Sequence, residues 1–288
     1  MTAVELGPEK WGHTEDGIRW FRQSWVDTYL SKCAEAARLD HYDPLPESNT
    51  DASAMGTAAH AGCESMLTHG DFHRAEAAVI SEWQRLEASG LRYVKLKDPK
   101  ACLSHAIRGF SIWHDEVYPQ LGTPLMVEGR FEVALDDRVG IRGTMDLVMT
   151  GSEQPVAVDW KFPSRAYEPW EKERFAIQPT TYATALVRQG VCEWPVQFDY
   201  WVIIRGKPVK FTPTAVNRAD HKDNNPQLIS VTRTEKHEAW LLEQLHQAAD
   251  LMDATEAGHV KRWPLNDQSW FCSEKWCERW AGCRGRHV

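Results

Sequence analysis

The sequence predicts an α/β protein folded as one unit, and three observations predict it. Apolar residues recur at helical spacing through most of the first 120 positions. Three consecutive segments, 123–135, 139–149 and 155–161, then read as strands. Helical periodicity returns after them, in 173–190 and again from about Thr234 to Ala257. Neither an internal repeat nor a low-complexity linker divides the 288 residues, and that length can bury a real core.

Each element has its own signal. A polar arm leads into a helix expected from about Gly17 to Leu39, where Ile18, Phe21, Trp25 and Tyr29 share one face; Pro44 and Pro46 end it. "SAMGTAAHAGCESMLTHG" is a second helix, stopped near Gly70. "DFHRAEAAVISEWQRLEASG" is a third, capped by Asp71 and closed by Gly90, and "DPKACLSHAIRGFSIWHDEVY" is a fourth. "TPLMVEGRFEVAL" and "VGIRGTMDLVM" form a hairpin through Asp136, Asp137 and Arg138, and "PVAVDWK" is the next strand. "ERFAIQPTTYATALVRQG" is a helix ending at Gly190. "VQFDYWVIIRG" and "KPVKFTPT" are expected to be two strands around a turn at Gly206. The tail after the last helix is rich in Trp and Cys and has no clear period.

Composition narrows the class. Hydrophobic content of 42% and charged content of 26% fit a globular chain. A net charge of −8 argues against a generally basic nucleic-acid coat but leaves room for a local basic groove. No signal peptide and no apolar run near ~18 residues is found, so the expectation is a soluble cytoplasmic protein without membrane contact. The seven Cys are therefore not expected to form disulfides. Three of them, Cys272, Cys277 and Cys283, crowd into the tail with Trp263, Trp270, Trp276 and Trp280.

The chemistry is carried by "PVAVDWK". Strand side chains alternate, so Val156, Val158 and Trp160 share one face while Asp159 and Lys161 share the other. Asp146 lies near the end of the preceding strand, and pairing of the two strands would bring both carboxylates to one edge. Two close carboxylates repel unless a cation lies between them. Mg²⁺ or Mn²⁺ answers that need, with the Trp160 carbonyl as a further ligand and Lys161 beside the bound water. The plainer alternative is a turn capped by Asp146 and an ion pair between Asp159 and Lys161. Upstream, Gly56 and His60 lie four apart on one helix face, with Glu64 a turn further on. Downstream, Gln178 and Tyr182 stand at i and i+4. A lone helix His is most often structural; beside two carboxylates it is a ligand candidate.

The order of these pieces resembles the RecB-like branch of the PD-(D/E)XK nuclease superfamily: Gly-Thr-x-x-His from Gly56 to His60, a strand carrying Glu128, Gly-x-x-Asp from Gly143 to Asp146, Asp-x-Lys, then Gln-x-x-x-Tyr. The similarity runs from about Ser24 to Gly285. It implies a restriction-endonuclease-like core, a central mixed sheet flanked by helices. A mainly helical region would span 15–120, the catalytic sheet region 121–215, and a C-terminal helix with its tail 230–288. It further implies that His60, Asp146 and Asp159 hold the metal, that Lys161 is catalytic, and that Gln178 and Tyr182 engage DNA or order the site. Glu128 matches a recurring acidic position. The second acid is often Glu in the superfamily and is Asp here.

The cysteines extend the resemblance. AddB-type nucleases and CRISPR-associated exonucleases carry a [4Fe-4S] cluster on one Cys after the first helix and three at the C-terminus. Carried over, these are Cys33, Cys272, Cys277 and Cys283. The tail spacing is C-x4-C-x5-C where the usual one is C-x2-C-x5-C. Four thiolates could equally hold Zn²⁺, and buried free thiols are the plain alternative, favoured for Cys63, Cys102 and Cys192. Such a clasp would join the two ends of the chain.

The expectation is thus a metal-dependent DNA exonuclease with an iron–sulfur clasp, acting in recombination, repair or processing on DNA that is single-stranded or has free ends. A helicase or an annealing protein is the expected companion. Arg165, Lys172 and Arg174, in the loop after the third strand, are the candidate DNA contacts; a solvated connection is the alternative for that loop. The rival readings are an endonuclease or end-trimming subunit, a catalytically silent DNA-binding scaffold, and a zinc-clasped protein of another kind.

Overall fold

The computed structural model describes residues 17–45, 49–96, 98–210 and 222–283. The expected polar arm, Pro46 and the second half of the "KPVKFTPT" strand lie outside them. Strand β1 (Arg19–Arg22) opens the chain. Helix α1 (Gln23–Asp27) follows and widens into a π turn over Thr28–Lys32, then α2 (Ala34–Tyr42) and the short β2 (Asn49–Thr50). Three helices come next: α3 (Asp51–His69), α4 (Phe72–Ala88) and, after β3 (Leu91–Arg92), α5 (Pro99–Ile112). Then come β4 (Pro124–Ala134), β5 (Val139–Met149), β6 (Val156–Lys161), α6 (Pro169–Phe175), α7 (Ile177–Arg188), β7 (Val196–Val202), β8 (Gln227–Arg233) and α8 (Glu235–Glu256). No helix among the described residues is long and apolar enough to cross a membrane.

Capping explains several boundaries. The Thr50 side chain accepts from the Ser53 N–H and Ser53 answers back, a reciprocal cap at the start of α3. Asp71 accepts from the Arg74 N–H at 3.1 Å, as the sequence predicts. Gly70, at φ 66°, closes α3 in a left-handed conformation that favours glycine.

The six-stranded sheet is mixed. It runs β1-β5-β6-β7-β8, with β4 on β5 as well. β4 pairs antiparallel along β5 from Gly140 to Met149 and occupies one of its edges. The other edge is shared: β1 pairs parallel with Val139–Arg142, and β6 pairs antiparallel with Leu147–Met149. Between them, no strand among the described residues covers positions 143–146 of β5 on that side. β7 lies parallel to β6, and β8 antiparallel to β7.

Two cores cover the sheet faces. One gathers Trp25, Ile141, Met145, Ala157, Phe198, Leu245 and Trp263 under α1, α7 and α8. The other gathers Ala59, Cys63, Trp83, Phe110, Trp113, Leu147, Val158 and Trp160 under α3, α4 and α5. A large apolar side chain buried in either stabilises by about 1.5–3 kcal/mol.

Three expectations are corrected. The helix expected from Gly17 to Leu39 begins as a strand and breaks at Cys33, which is extended at φ −162°. Parallel pairing with β5 overrides the helical spacing of Phe21 and Trp25, and the buried Arg19 is held at 2.7 Å by Asp253 and 2.9 Å by Glu256 on α8. The helix over 173–190 is two helices, α6 and α7, parted at Ala176, whose ψ is 124°. The first half of the expected "KPVKFTPT" strand is irregular; Lys210 makes one isolated bridge to Asn225, and Pro208 has no N–H to donate. The antiparallel partner of β7 is instead β8, which the sequence reading did not identify.

Candidate active site

The gap in β5 is where the predicted residues meet. Asp146 is its last residue, and its Oδ2 accepts the Trp160 N–H from β6 at 3.1 Å. In an extended strand the N–H and C=O of one residue point to the same edge, so the Trp160 carbonyl faces Asp146 as well. His60, on the buried side of α3, brings Nδ1 to 3.4 Å from the same Oδ2. Its ring packs edge-on against Phe162 at 5.5 Å.

Glu128 completes the group. Val127 pairs with Leu147 and Gly129 with Met145, so Glu128 stands opposite Asp146 in the register. Among the described residues it alone is a non-glycine with positive φ, at 47°. The face alternation slips there in both strands. Met145 belongs to one core and Leu147 to the other, and Phe131 and Val127 divide in the same way. This dislocation lets cross-strand neighbours converge. Ligand atoms of His60, Glu128 and Asp146 all lie within 4.8 Å of one another. Gly143 serves the approach: a Cβ there would meet Phe131 Cζ at 2.8 Å. A Cβ at Gly56 would meet open space, so packing does not require that glycine.

Asp159 points to the opposite face, as the alternation of β6 predicts, and makes a separate network. Lys161 Nζ lies 2.7 Å from its Oδ2 and 2.8 Å from its Oδ1. Gln178 donates to Oδ1 at 2.6 Å and to the Tyr182 hydroxyl at 3.0 Å. Tyr182 donates to the Thr144 carbonyl at 2.5 Å, inside the β5 gap, so this helical pair caps backbone that no strand covers. The Tyr200 hydroxyl reaches Gln178 at 3.4 Å; the sequence reading missed this tyrosine, whose only signal was its place in an apolar strand.

Burial, then the charge of Asp159, pushes the Asp146 carboxyl well above the usual carboxylate range; Lys161 opposes this and Glu128 adds to it. Burial, the exposed Glu64 one turn beyond His60, and Asp159 raise Glu128 to about 7. Burial and Lys161 lower His60 to about 4, leaving a neutral imidazole. Burial works against the Lys161 charge, but Asp159 and Asp146 outweigh it and hold the ammonium above its ordinary pKa. Two buried carboxyls held above their ordinary range, beside a neutral imidazole, form an oxygen and nitrogen donor set suited to a divalent cation.

Of the three candidate DNA contacts, Lys172 and Arg174 stand on α6 rather than in the expected loop and line a groove that opens onto Lys161, whereas Arg165 is exposed in the turn after β6 and does not line it. Lys172 sits 4.1 Å over the Tyr167 ring.

At the chain ends, Cys33, Cys272, Cys277 and Cys283 line one small cavity with Leu39, Leu265 and Phe271. Burial raises the Cys272 and Cys277 thiols, and the neighbouring cysteines raise them further. The tail is fastened independently of the thiols. The Glu35 carboxylate accepts the Trp263 N–H at 2.7 Å, Arg279 pairs with Asp43 at 3.0 Å, and Lys95 lies over Trp276 at 5.2 Å.

The PD-(D/E)XK nuclease superfamily model matches residues 24–284, so the chain belongs to that superfamily. A solved structure described as "Crystal structure of SSO0001" is similar at 12% identity with a TM-score of 0.31, covering 91% of this chain and 96% of that one. Comparison with curated proteins found no match.

Proposed function

We propose that this protein is a metal-dependent DNA exonuclease that hydrolyses phosphodiester bonds from DNA ends, held together by a structural [4Fe-4S] cluster. The observation that carries the reading is the convergence of His60, Glu128 and Asp146 within 4.8 Å, one strand away from the Lys161–Asp159 pair. His60, Glu128, Asp146 and the Trp160 carbonyl would hold Mg²⁺ or Mn²⁺, and Asp159 would hold Lys161 beside them. A bound divalent ion supplies Lewis-acid polarisation of the phosphate and an acidified water.

The residues divide the remaining work. Lys161 stays charged at neutral pH and so acts as a cation against charge building on the phosphate, not as a base. Asp159 holds that ammonium, and Gln178 and Tyr182 hold Asp159 in turn. His60 is neutral and offers a lone pair.

The clasp reading rests on four thiols around one cavity. The cluster rather than a single Zn²⁺ is proposed on the family resemblance of the four cysteines. A helicase or annealing protein in recombination, repair or CRISPR adaptation is the companion this function calls for.

The test is digestion of end-labelled linear DNA beside closed circles, with Mn²⁺, Mg²⁺ or chelator, for wild type and Lys161→Ala. Metal-dependent loss of linear DNA, intact circles and an inactive variant are expected. Cutting of circles would sink the exonuclease assignment in favour of an endonuclease, and an inert wild type would sink the catalytic one.

A further inference from the structure

A groove of about 930 Å³ runs from Lys161 and Gln178 between α1, the α6–α7 junction and the first turns of α8 to the tail. Three of the large hydrophobic side chains exposed in the described residues line it: Phe175 at 55%, Trp240 at 42% and Trp270 at 67%. They come from three separate parts of the chain. Their rings are supported rather than loose. Trp270 stands edge-to-face on Trp276 at 5.9 Å and 82°, and Phe175 on Trp170 at 6.0 Å and 72°.

Charge in the groove is reversed relative to the chain. Five basic side chains line it against two acidic ones, in a protein of net charge −8. One of those acids, Asp27, is already paired with Lys32 at 3.0 Å. The Lys172 ammonium rides on Tyr167 at 4.1 Å and Tyr200 at 5.4 Å, and the Arg174 guanidinium lies 5.1 Å from the Phe175 ring. Exposed rings interleaved with cations are what a single nucleic-acid strand requires: phosphates for the cations, and base faces for the rings. A duplex meets only half of this, because its base faces are hidden within its own stack. An acidic protein surface would meet the cations and leave the rings in water.

We propose that this groove is a single-strand subsite in which bases stack on Phe175, Trp240 and Trp270 while Lys172 and Arg174 hold the phosphates, feeding the strand toward Lys161. The proposal deepens the nuclease reading and rests on it for the direction of travel. It does not rest on it for binding.

The test is equilibrium binding, in chelator so that nothing is cut, of a labelled oligothymidylate, an abasic strand of equal length and a duplex. Wild type should bind the oligothymidylate well above the other two. Removing a stacking ring costs about tenfold in affinity per base, so Trp240→Ala with Trp270→Ala should weaken oligothymidylate about tenfold or more and change abasic binding less than threefold. The Trp240→Tyr and Trp270→Tyr pair should retain most of the affinity, which separates stacking from a general loss of structure. Equal losses on the thymidine and abasic strands, equal binding of duplex, or no loss at all would each overturn the subsite. The two readings fail separately. A protein that stacks oligothymidylate yet never cuts with Mn²⁺ loses the nuclease reading and keeps the groove. One that cuts linear DNA without base-dependent binding loses the groove and keeps the nuclease.

Discussion

The carboxylate site and the proposed cysteine clasp draw their donors from opposite kinds of structure. The carboxylate site takes hard oxygen and imidazole donors from rigid elements: α3, β4 and β5, with β6 alongside. Its groups are packed between two cores, and burial first, then neighbouring carboxylates, raises the Asp146 and Glu128 carboxyls. The clasp takes soft thiols from the turn before α2 and from an irregular tail, near the surface. Strands hold geometry to tenths of an ångström and suit a site that must present one reacting atom. A clasp needs only to close the chain. Joining Cys33 to the tail would shut a loop of about 240 residues, and its value would lie in the unfolded-chain entropy removed.

Lys161→Ala should sharpen this contrast most. It should lower metal-dependent DNA hydrolysis by about 10²–10³-fold, as the loss of a transition-state charge partner does. Oligothymidylate affinity should change little, measured by anisotropy in chelator. An equal fall in binding would mean that Lys161 grips substrate and does not act on the reacting phosphate.

Cys277→Ser should do the reverse. Loss of a cross-link spanning this much chain costs on the order of 4–5 kcal/mol, so a large drop in melting temperature is expected together with loss of brown colour and bound iron. Metal analysis and thermal melts of the same preparation check it; zinc in place of iron would overturn the cluster assignment while leaving the clasp.

The pH dependence of metal-free stability separates the sites further. Glu128 is raised from 4.5 to about 7, so its contribution is whole below pH 4.5 and is lost as the pH rises through about 7. His60 is lowered from 6.5 to about 4, so its contribution is whole above pH 6.5 and is lost as the pH falls through about 4. Mn²⁺ should therefore raise the melting temperature more on the alkaline side of neutrality than at mild acid. Glu128→Gln should shrink that difference, the raised Asp146 carboxyl keeping the remainder, and an undiminished difference in the variant would exclude Glu128 as a ligand.

Tyr182→Phe is the mildest change. It leaves the Thr144 carbonyl without this donor and Gln178 with Asp159 as its remaining acceptor, which costs about 1–2 kcal/mol. Stability should fall by that amount and hydrolysis by roughly tenfold, read from melts and initial rates. Unchanged rates would reduce the pair to a structural plug of the β5 gap.

Much of this site was legible before any fold was known. The Asp159–Lys161 alternation and the helical faces bearing His60 and the Gln178–Tyr182 pair follow from local periodicity, which is a property of neighbouring residues; the grouping of Cys33 with the three tail cysteines came only from the family resemblance. The tertiary structure alone decided the rest. Glu128 meets Asp146 because both strands lose their alternation at the same register position. Arg19–Arg22 is a strand because β5 offers it an edge, and Phe175, Trp240 and Trp270 share a groove because α6, α8 and the tail pack side by side. Sequence spacing states which face a side chain takes; it does not state which distant backbone will lie against that face, because that choice is made by burial summed over the whole chain.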